Sequence, residues 1–398
     1  MNQFAINKFS LKEFSSLLVY IAISLLAISD TGFQLLILTT IGPYSRTLRL
    51  TAFGLLLTKV ILTRYTKKEF LIIAPIAALS LYNYTLCGNI YCIYNILVIA
   101  CMKDIDFSKL FKVLFYSTFG SVILIGILSC LGIGSPVSLT QNFGRDIVET
   151  RYCFGLYHPN IWHFAITRCI VFFCIGYYER LNIIHILVMF VINYFVFLLS
   201  VSRTSMLAAS LFLILIIFYK YLNTFMHFLL IKICAFVGML GVYGLYLYMT
   251  YDFVVEYSLN SQLFDYRLTT GRIRQATTFL AENPVQLLGS RFPDDGSLFD
   301  CGLLRVFYES GYLLAGLFFA ALFLLVIIAL KNHWDIIIPT TVYFIFYSLY
   351  EIDPVTRPTF NVVVFFFALL LFGSSQKTKN QLCAPFSWSK HRQRSQHS

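Results

Sequence analysis

The chain has 398 residues, of which 58% are apolar and only 12% are charged, and its mean hydropathy is +0.75. A soluble domain has about twice that charged fraction, roughly 25%, so the polar surface is too small to cover a water-soluble globule. The composition therefore predicts a polytopic membrane protein that is solvated mainly by lipid. Its net charge of +11 then reflects membrane topology and lipid contact, and no nucleic-acid partner is expected.

The apolar segments have the lengths of helices, not of the alternating strands of about ten residues that form a membrane β-barrel. We predict an all-α fold of about twelve spans in a single transmembrane domain, residues 1–373, followed by a basic, disordered cytoplasmic tail, residues 374–398. The predicted spans are 14–38, 50–62, 70–86, 90–102, 110–133, 161–178, 183–200, 204–222, 233–251, 303–330, 334–350 and 358–373.

The basic residues differ between the two sides of these spans. With both termini in the cytoplasm, the inner loops hold seventeen Lys and Arg residues and the outer loops hold eleven, as the positive-inside rule requires. Thirteen of the inner residues are Lys, whereas all of the outer ones are Arg. Because Arg has a planar fork that binds phosphate or carboxylate bidentately, we expect an anion at the outer surface. The alternative is that these arginines only pair with acidic residues of the same loops.

Two predicted outer loops are long, residues 135–160 and 252–302, and long ordered loops are often functional. The second loop contains a helix signal, in which Thr270 can cap a helix that ends at Asn283. Its expected buried face consists of Ile273, Ala276, Thr277 and Leu280. An amphipathic helix of this kind would lie at the outer membrane surface.

Arg272 and Arg274 lie in the first turn of this helix. Helix geometry turns positions that are two residues apart by roughly 160°, so the two side chains would not bind one phosphate together. Cations in a first helical turn interact unfavourably with the helix macrodipole. A nearby anion or simple solvation would offset this unfavourable interaction.

The first long loop ends in Arg151-Tyr-Cys-Phe-Gly-Leu-Tyr-His158-Pro159-Asn160, which runs into the sixth span. Pro159 suits a helix start, and His158 or Asn160 could cap the helix. His158 is the only His in the outer region of this topology, where it could act as a general base or hydrogen-bond donor. The sequence leaves open whether His158 is catalytic or only a cap.

Further charged residues come from the second loop and the tenth span. Arg291 and Asp300 lie in the loop, and Arg305 and Glu309 follow in the first turns of the span. Charges inside the membrane cost a few kcal/mol each unless they face a cavity or are paired. Arg305 and Glu309 are therefore functional candidates, although their i,i+4 spacing would also let them pair with each other. Asp300 stands at the membrane entrance, where partial burial would strengthen its carboxylate as a base.

Arg203 lies at the junction of the seventh and eighth spans, in Val201-Ser-Arg-Thr-Ser205. Snorkelling toward the headgroups would explain an Arg at this depth. The neighbouring hydroxyls of Ser202, Thr204 and Ser205 favour contact with an anion instead.

Motifs for metal or nucleotide chemistry are absent from the sequence, which has no H-E-x-x-H, no C-x-x-C and no P-loop. We therefore expect no cofactor.

Short motifs between about residues 140 and 320 give the chain a family resemblance. They are Gly155-Leu-Tyr-His158-Pro-Asn160, Ser202-Arg203-Thr-Ser, Gly271-Arg272, Glu282-Asn283-Pro284, Leu288-Gly289, Asp300-Cys-Gly-Leu-Leu and Tyr308-Glu309-Ser-Gly311. In this order and among many spans, they resemble the Wzy-type polysaccharide polymerases, in the wider group that includes O-antigen ligases. Ligase-like members usually have a His-Asn pair where this chain has Asp300-Cys301.

The resemblance implies polymerisation of undecaprenyl-diphosphate-linked oligosaccharide units on the outer face of the bacterial inner membrane, without metal or nucleotide. The departing lipid diphosphate requires cations, and the attacking sugar hydroxyl requires a base. By resemblance, the diphosphate contacts would be Arg151, Arg203, Arg272 and Arg291, and the base would be Asp300 or His158. Asn160, Arg274, Arg305 and Glu309 complete the candidate substrate-binding set.

Besides its lipid-linked substrate and the bilayer, the expected partners are a flippase and a chain-length regulator. Three alternatives remain: a transporter or flippase, an O-antigen-type ligase, and a non-catalytic subunit of an export machine. A transporter would carry ionisable groups near its span midpoints, whereas the charges here gather in the predicted outer loops.

Overall fold

The computed structural model describes residues 11–32, 42–143, 148–222, 271–293 and 299–373, and the single residues Gly241 and Gly244. These residues are mostly helical. The helices are α1 (Leu11–Gly32), α2 (Gly42–Leu62), α3 (Lys67–Cys87), α4 (Tyr91–Cys101), α5 (Phe107–Cys130), α6 (Pro159–Gly176), α7 (Ile183–Ser200), α8 (Arg203–Tyr221), α9 (Arg272–Glu282), α10 (Gly302–Asn332), α11 (Ile337–Tyr350), α12 (Asp353–Thr356) and α13 (Val362–Phe372).

Seven of the described helices are long and apolar enough to cross a membrane, namely α1, α3, α5, α6, α7, α8 and α10. The helices α4, α11 and α13 are apolar but shorter. The predicted ninth span, 233–251, and the tail, 374–398, lie outside the described residues apart from Gly241 and Gly244. Each of the other predicted spans overlaps one of these helices. The helical membrane-type fold is confirmed, and the number of twelve spans stays a prediction.

The helices connect at two ends of a bundle. At one end, an ion pair of 3.2 Å between Lys12 and Asp104 joins the start of α1 to the α4–α5 connection. At the other, which we call the cavity end, Arg357 donates to the carbonyl oxygen of Asp30 at the end of α1, over 2.7 Å. Among the described residues, the first end carries mainly Lys and the cavity end only Arg. The contrast between Lys in the predicted inner loops and Arg in the predicted outer loops is therefore also a contrast between the two ends of the bundle.

A two-stranded antiparallel hairpin, which was not predicted, occupies part of the first long loop of this mostly helical protein. β1 (Ser138–Asn142) pairs with β2 (Val148–Tyr152). The opposed hydroxyls of Thr140 and Thr150 are 2.8 Å apart, a cross-strand pair of the kind that stabilises hairpins. The strand β2 carries Arg151, so the hairpin fixes the position of that side chain.

The helix α9 lies where the sequence predicts a helix in the second long loop, and it ends at the predicted Asn283. It begins after Gly271, the N-cap residue, which has a positive φ of 85° and forms no side-chain cap. The predicted cap, Thr270, lies outside the described residues. Ala276 and Phe279 pack in one apolar cluster with Phe299, Leu303, Leu304, Tyr308 and Leu349. The apolar face of α9 is therefore buried against α10 and α11, and its position at the membrane surface stays a prediction.

Gly311 interrupts α10 and anchors the loop that follows α9. Its φ of 73° and ψ of 170° are not helical. The next two backbone N–H groups, of Tyr312 and Leu313, donate to the carbonyl oxygens of Gln286 and Leu287 over 3.2 and 3.0 Å. A Cβ atom on Gly311 would collide with the backbone of this loop. The close approach therefore requires glycine, and it holds α9 at the cavity end.

Gly311→Ala is expected to lower the thermal stability of the detergent-solubilised protein by several degrees or to prevent folding. The backbone conformation of Gly311 is essentially restricted to glycine and costs another residue about 1–3 kcal/mol, and overpacking costs roughly 1–3 kcal/mol more. Gly316→Ala is the matched control, because a Cβ there meets no atom within 4 Å. Equal melting temperatures for the two variants would contradict the close packing at Gly311.

Candidate functional site

A cavity of about 590 Å³ lies at the cavity end of the bundle. Its wall is built from four parts of the chain: the hairpin, the start of α6, the start of α9 with the residues before α10, and the segment from α11 to α13. Five of the ten predicted site residues line it, namely Arg151, His158, Asn160, Arg272 and Asp300. Residues that are far apart in the sequence are thus brought to one place.

Arg272, the first residue of α9, is held by three groups at the cavity wall. It donates to the carbonyl oxygen of Tyr350 over 2.6 Å and to the carboxylate of Glu351 over 3.1 Å. Its Nε atom lies 3.9 Å from the carboxylate of Asp300. Burial opposes the charged form, but Glu351 and Asp300 outweigh burial and raise the pKa of Arg272. The guanidinium is therefore a fixed, permanent cation.

Arg151 reaches the cavity from the strand β2. Both its Nε and an Nη atom bind the carboxylate of Glu149, the former over 3.0 Å. Its guanidinium carbon lies 4.1 Å from the centre of the Phe143 ring, an arrangement typical of a cation–π contact. These contacts fix the second guanidinium before any ligand binds.

Arg357 supplies a third guanidinium, which the sequence analysis counted among the outer arginines but did not select. It comes from the segment between α12 and α13 and is oriented by the carbonyl oxygen of Asp30, 2.7 Å away. The Asp30 carboxylate in turn accepts a bond from Thr359 over 2.5 Å and one from Arg49 over 3.3 Å. The lining thus has three arginines against the two carboxylates of Asp300 and Glu351.

His158 caps α6, as one of its two predicted roles requires. Its Nδ1 atom accepts the backbone N–H of Asn160 over 3.2 Å. Because an accepting ring nitrogen carries no proton, this bond assigns the proton of the neutral ring to Nε2. Burial and the nearby Arg151 lower the pKa of His158 below its usual value. At neutral pH the ring is therefore uncharged, with Nε2–H as a hydrogen-bond donor and not as a base.

Asp300 stands directly before Cys301 and α10, and its side chain is about half exposed, at 50%. The partial burial that the sequence analysis expected is thus limited. The other carboxylate of the lining, Glu351, accepts a hydrogen bond from Arg272 and is only 14% exposed. Asp300 is therefore the more accessible acceptor for a proton.

Two predicted anion-binding residues are not part of this cavity lining. Arg274 is exposed on α9, because positions two residues apart on a helix are rotated by roughly 160° and so face away from each other. Arg203 is exposed at the start of α8, and the expected hydroxyl cluster around it does not form. Ser202 instead donates to Ser205 over 3.2 Å, and the hydroxyl of Ser205 lies 2.9 Å from that of Tyr347 in the cavity wall. These hydroxyls join α8 to α11.

Two of the three remaining predicted residues, Arg291 and Glu309, line a second, smaller cavity of about 320 Å³. Arg305 and Glu309 form the i,i+4 ion pair that their spacing allowed, over 2.5 Å. The side-chain amide of Asn89 also donates to Glu309 over 2.7 Å. Arg291, Arg305 and Glu309 are thus separate from the main cavity lining.

The sequence analysis missed Tyr347 and Glu351 because they come from α11 and the short connection after it. A signal was present, since residues 351–357 place Glu, Asp and Arg between two apolar spans.

No protein-family model, curated protein or solved structure matches this chain.

Proposed function

We propose that the protein polymerises undecaprenyl-diphosphate-linked oligosaccharide units into a surface polysaccharide, by glycosyl transfer with the lipid diphosphate as leaving group. The observation that carries the proposal is the convergence of Arg151, Arg272 and Arg357 on one cavity with His158 and Asp300. Such a set supplies the two things this reaction requires, fixed cations and a proton acceptor.

In the proposed reaction, an acceptor sugar hydroxyl attacks the anomeric carbon of the donor chain. The bond from that carbon to the diphosphate oxygen breaks, and its electron pair leaves with the lipid diphosphate. Arg272 and Arg151 stabilise the charge that develops on the diphosphate, and the Nε2–H group of His158 donates a hydrogen bond to it. Asp300 accepts the proton of the attacking hydroxyl. No metal or nucleotide takes part in this scheme.

We further propose that the cavity end faces outward from the bacterial cytoplasmic membrane, with both termini in the cytoplasm. The Lys-rich opposite end supports this orientation, because cytoplasmic loops carry the excess of basic residues. The lipid-linked substrate would then arrive after a flippase has transferred it, and a chain-length regulator would act on the same product.

Deletion of the gene in its host, followed by complementation, tests this function. We expect the deletion to remove chains longer than one repeat unit while single units still reach the cell surface. Loss of a transporter would instead retain the units at the cytoplasmic face and leave no surface sugar. Normal polymer length in the deletion strain, or loss of single surface units, would overturn the proposal.

A further inference from the structure

The arginines that line the main cavity are held by other parts of the protein. Arg272 donates to Glu351 over 3.1 Å. Arg151 binds Glu149, and Arg357 donates to a backbone carbonyl oxygen. A fixed cation stabilises an anion, but the recognition of an uncharged sugar requires groups that can still donate and accept hydrogen bonds.

Three neutral polar side chains of the same lining have this capacity. They are the amides of Gln141 and Asn160 and the hydroxyl of Tyr157. None of the three side chains forms a hydrogen bond to another residue in the part of the chain that the structure describes. Because an amide offers donors and an acceptor side by side, each amide can bond neighbouring hydroxyl groups of one sugar.

The register of the hairpin places Gln141 beside Arg151. Gln141 is opposite Glu149, and Leu139 is opposite Arg151. Residues that are opposite each other, or two apart along a strand, lie on the same face of a sheet. Gln141 and Arg151 therefore share one face of the hairpin, and both line the main cavity.

Tyr157 has a strained backbone at the edge of this cavity. The N–H of His158 donates to the carbonyl oxygen of Leu156 over 2.6 Å, which closes a three-residue γ-turn with Tyr157 at its centre. The φ of Tyr157 is 54°, and a γ-turn with a positive φ is rare and strained. Glycine adopts a positive φ without steric cost, so the turn itself does not require a tyrosine.

The side chain of Tyr157 also contributes little to packing. Its neighbour Leu156 is fully buried, and Phe154 packs on Trp162 with ring centres 4.8 Å apart. Tyr157 is instead 41% exposed, and its ring centre lies 6.3 Å from that of His158. Strained residues that packing does not explain are typical of ligand-binding sites.

We propose that Tyr157, Gln141 and Asn160 form a subsite for a neutral hexose of the lipid-linked unit. The apolar C–H face of the pyranose stacks on the Tyr157 ring, which has a flat apolar face and a polar hydroxyl. The two amides bond the hydroxyl groups of the sugar. Small-molecule sites commonly measure about 300–1,000 Å³, so a cavity of about 590 Å³ has room for a hexose beside a diphosphate. The inference rests on the proposed function in one respect, since the hexose is that of the lipid-linked unit.

Saturation-transfer difference NMR tests this subsite without requiring turnover. The purified full-length protein in nanodiscs is mixed with the repeat-unit oligosaccharide that mild acid releases from the host's lipid-linked unit, so that the probe carries no diphosphate. We expect saturation of the ring protons of one hexose. The affinity should be roughly five- to tenfold weaker in Tyr157→Asn, which loses the aromatic surface. Tyr157→Phe, which keeps the ring, should retain most of the affinity.

The matched control for Tyr157→Asn is Tyr152→Asn. Tyr152 is 39% exposed on the same hairpin but does not line the main cavity, so its substitution should leave the affinity unchanged. Asparagine tolerates a left-handed backbone, and the melting temperature of Tyr157→Asn should therefore equal or exceed that of the unsubstituted protein. Equal affinities in the two variants, or weaker binding together with a lower melting temperature in Tyr157→Asn, would overturn the subsite.

Inorganic pyrophosphate separates the sugar from the anion. It should not displace the oligosaccharide, because it occupies the arginines; full displacement would place the sugar on the arginines and overturn the subsite. In turnover with the free oligosaccharide as acceptor, Tyr157→Asn should raise KM severalfold for the substrate whose hexose is bound, donor or acceptor, and unchanged KM values for both would contradict the proposal. Specific sugar binding without polymerase activity would overturn the proposed function alone, and normal polymer formation without binding to this subsite would overturn the subsite alone.

Discussion

Arg272→Ala is expected to abolish chains longer than one repeat unit while folded protein remains in the membrane. Removal of a fixed group that stabilises developing charge typically lowers turnover by about 10²–10³-fold. Arg272→Lys should rescue poorly, because a single ammonium cannot reproduce the planar fork that bonds both the Tyr350 carbonyl and Glu351. The measurement is the initial rate of polymer formation by purified protein on lipid-linked units, with the polymer length profile of complemented cells beside it.

The matched control for Arg272 is Arg274→Ala. It removes the same charge from the same helix, but Arg274 is exposed and does not line the main cavity, so near-normal rates are expected. A double variant, Arg272→Ala with Glu351→Gln, also removes the carboxylate that loses its hydrogen bond from Arg272 in the single variant. It should recover thermal stability without recovering activity. Full activity in Arg272→Lys, or equal damage from Arg274→Ala, would contradict the role of Arg272.

The helices could be predicted from the sequence because a helix that is solvated by lipid requires a long apolar segment. Polar and helix-breaking residues separate these segments and so mark the ends of the helices. The span predicted at 183–200 is found as α7, Ile183–Ser200, where Asn182 caps the start with a bond of 2.9 Å. The hairpin was missed because a loop of 26 residues between two strong apolar segments gives a weak local signal. That segment becomes regular only through the pairing of Ser138–Asn142 with Val148–Tyr152.

The candidate site could be predicted only in part because its residues meet through tertiary contacts. The loop residues Arg151, His158 and Asp300 could be nominated from charge and position along the chain. The convergence of a short segment after α11 on the same cavity could not, so Glu351 was missed. Arg203 illustrates the opposite error, since its neighbours Ser202 and Ser205 have the residue types of an anion site but form hydrogen bonds inside the bundle.

Asp300→Asn is expected to lower the rate of polymer formation by about 10²–10⁴-fold, the range typical of a lost general base. The substitution keeps the size of the side chain and removes its ability to accept a proton at neutral pH. Because the side chain is half exposed and 3.9 Å from Arg272, little effect on the melting temperature is expected. The measurement is the single-turnover rate with saturating lipid-linked donor, so that weaker binding does not mask a slower chemical step.

His158→Gln distinguishes the two candidate bases. The Nδ1 atom of His158 is occupied by the Asn160 N–H, so the neutral ring offers a donor, and a glutamine amide can replace a donor but not a base. We therefore expect a loss of less than about tenfold in rate, with about 1 kcal/mol of stability lost if the cap of α6 weakens. If His158→Gln instead abolished polymer formation and Asp300→Asn retained turnover, His158 would be the base and the tautomer assigned from the Asn160 bond would be wrong.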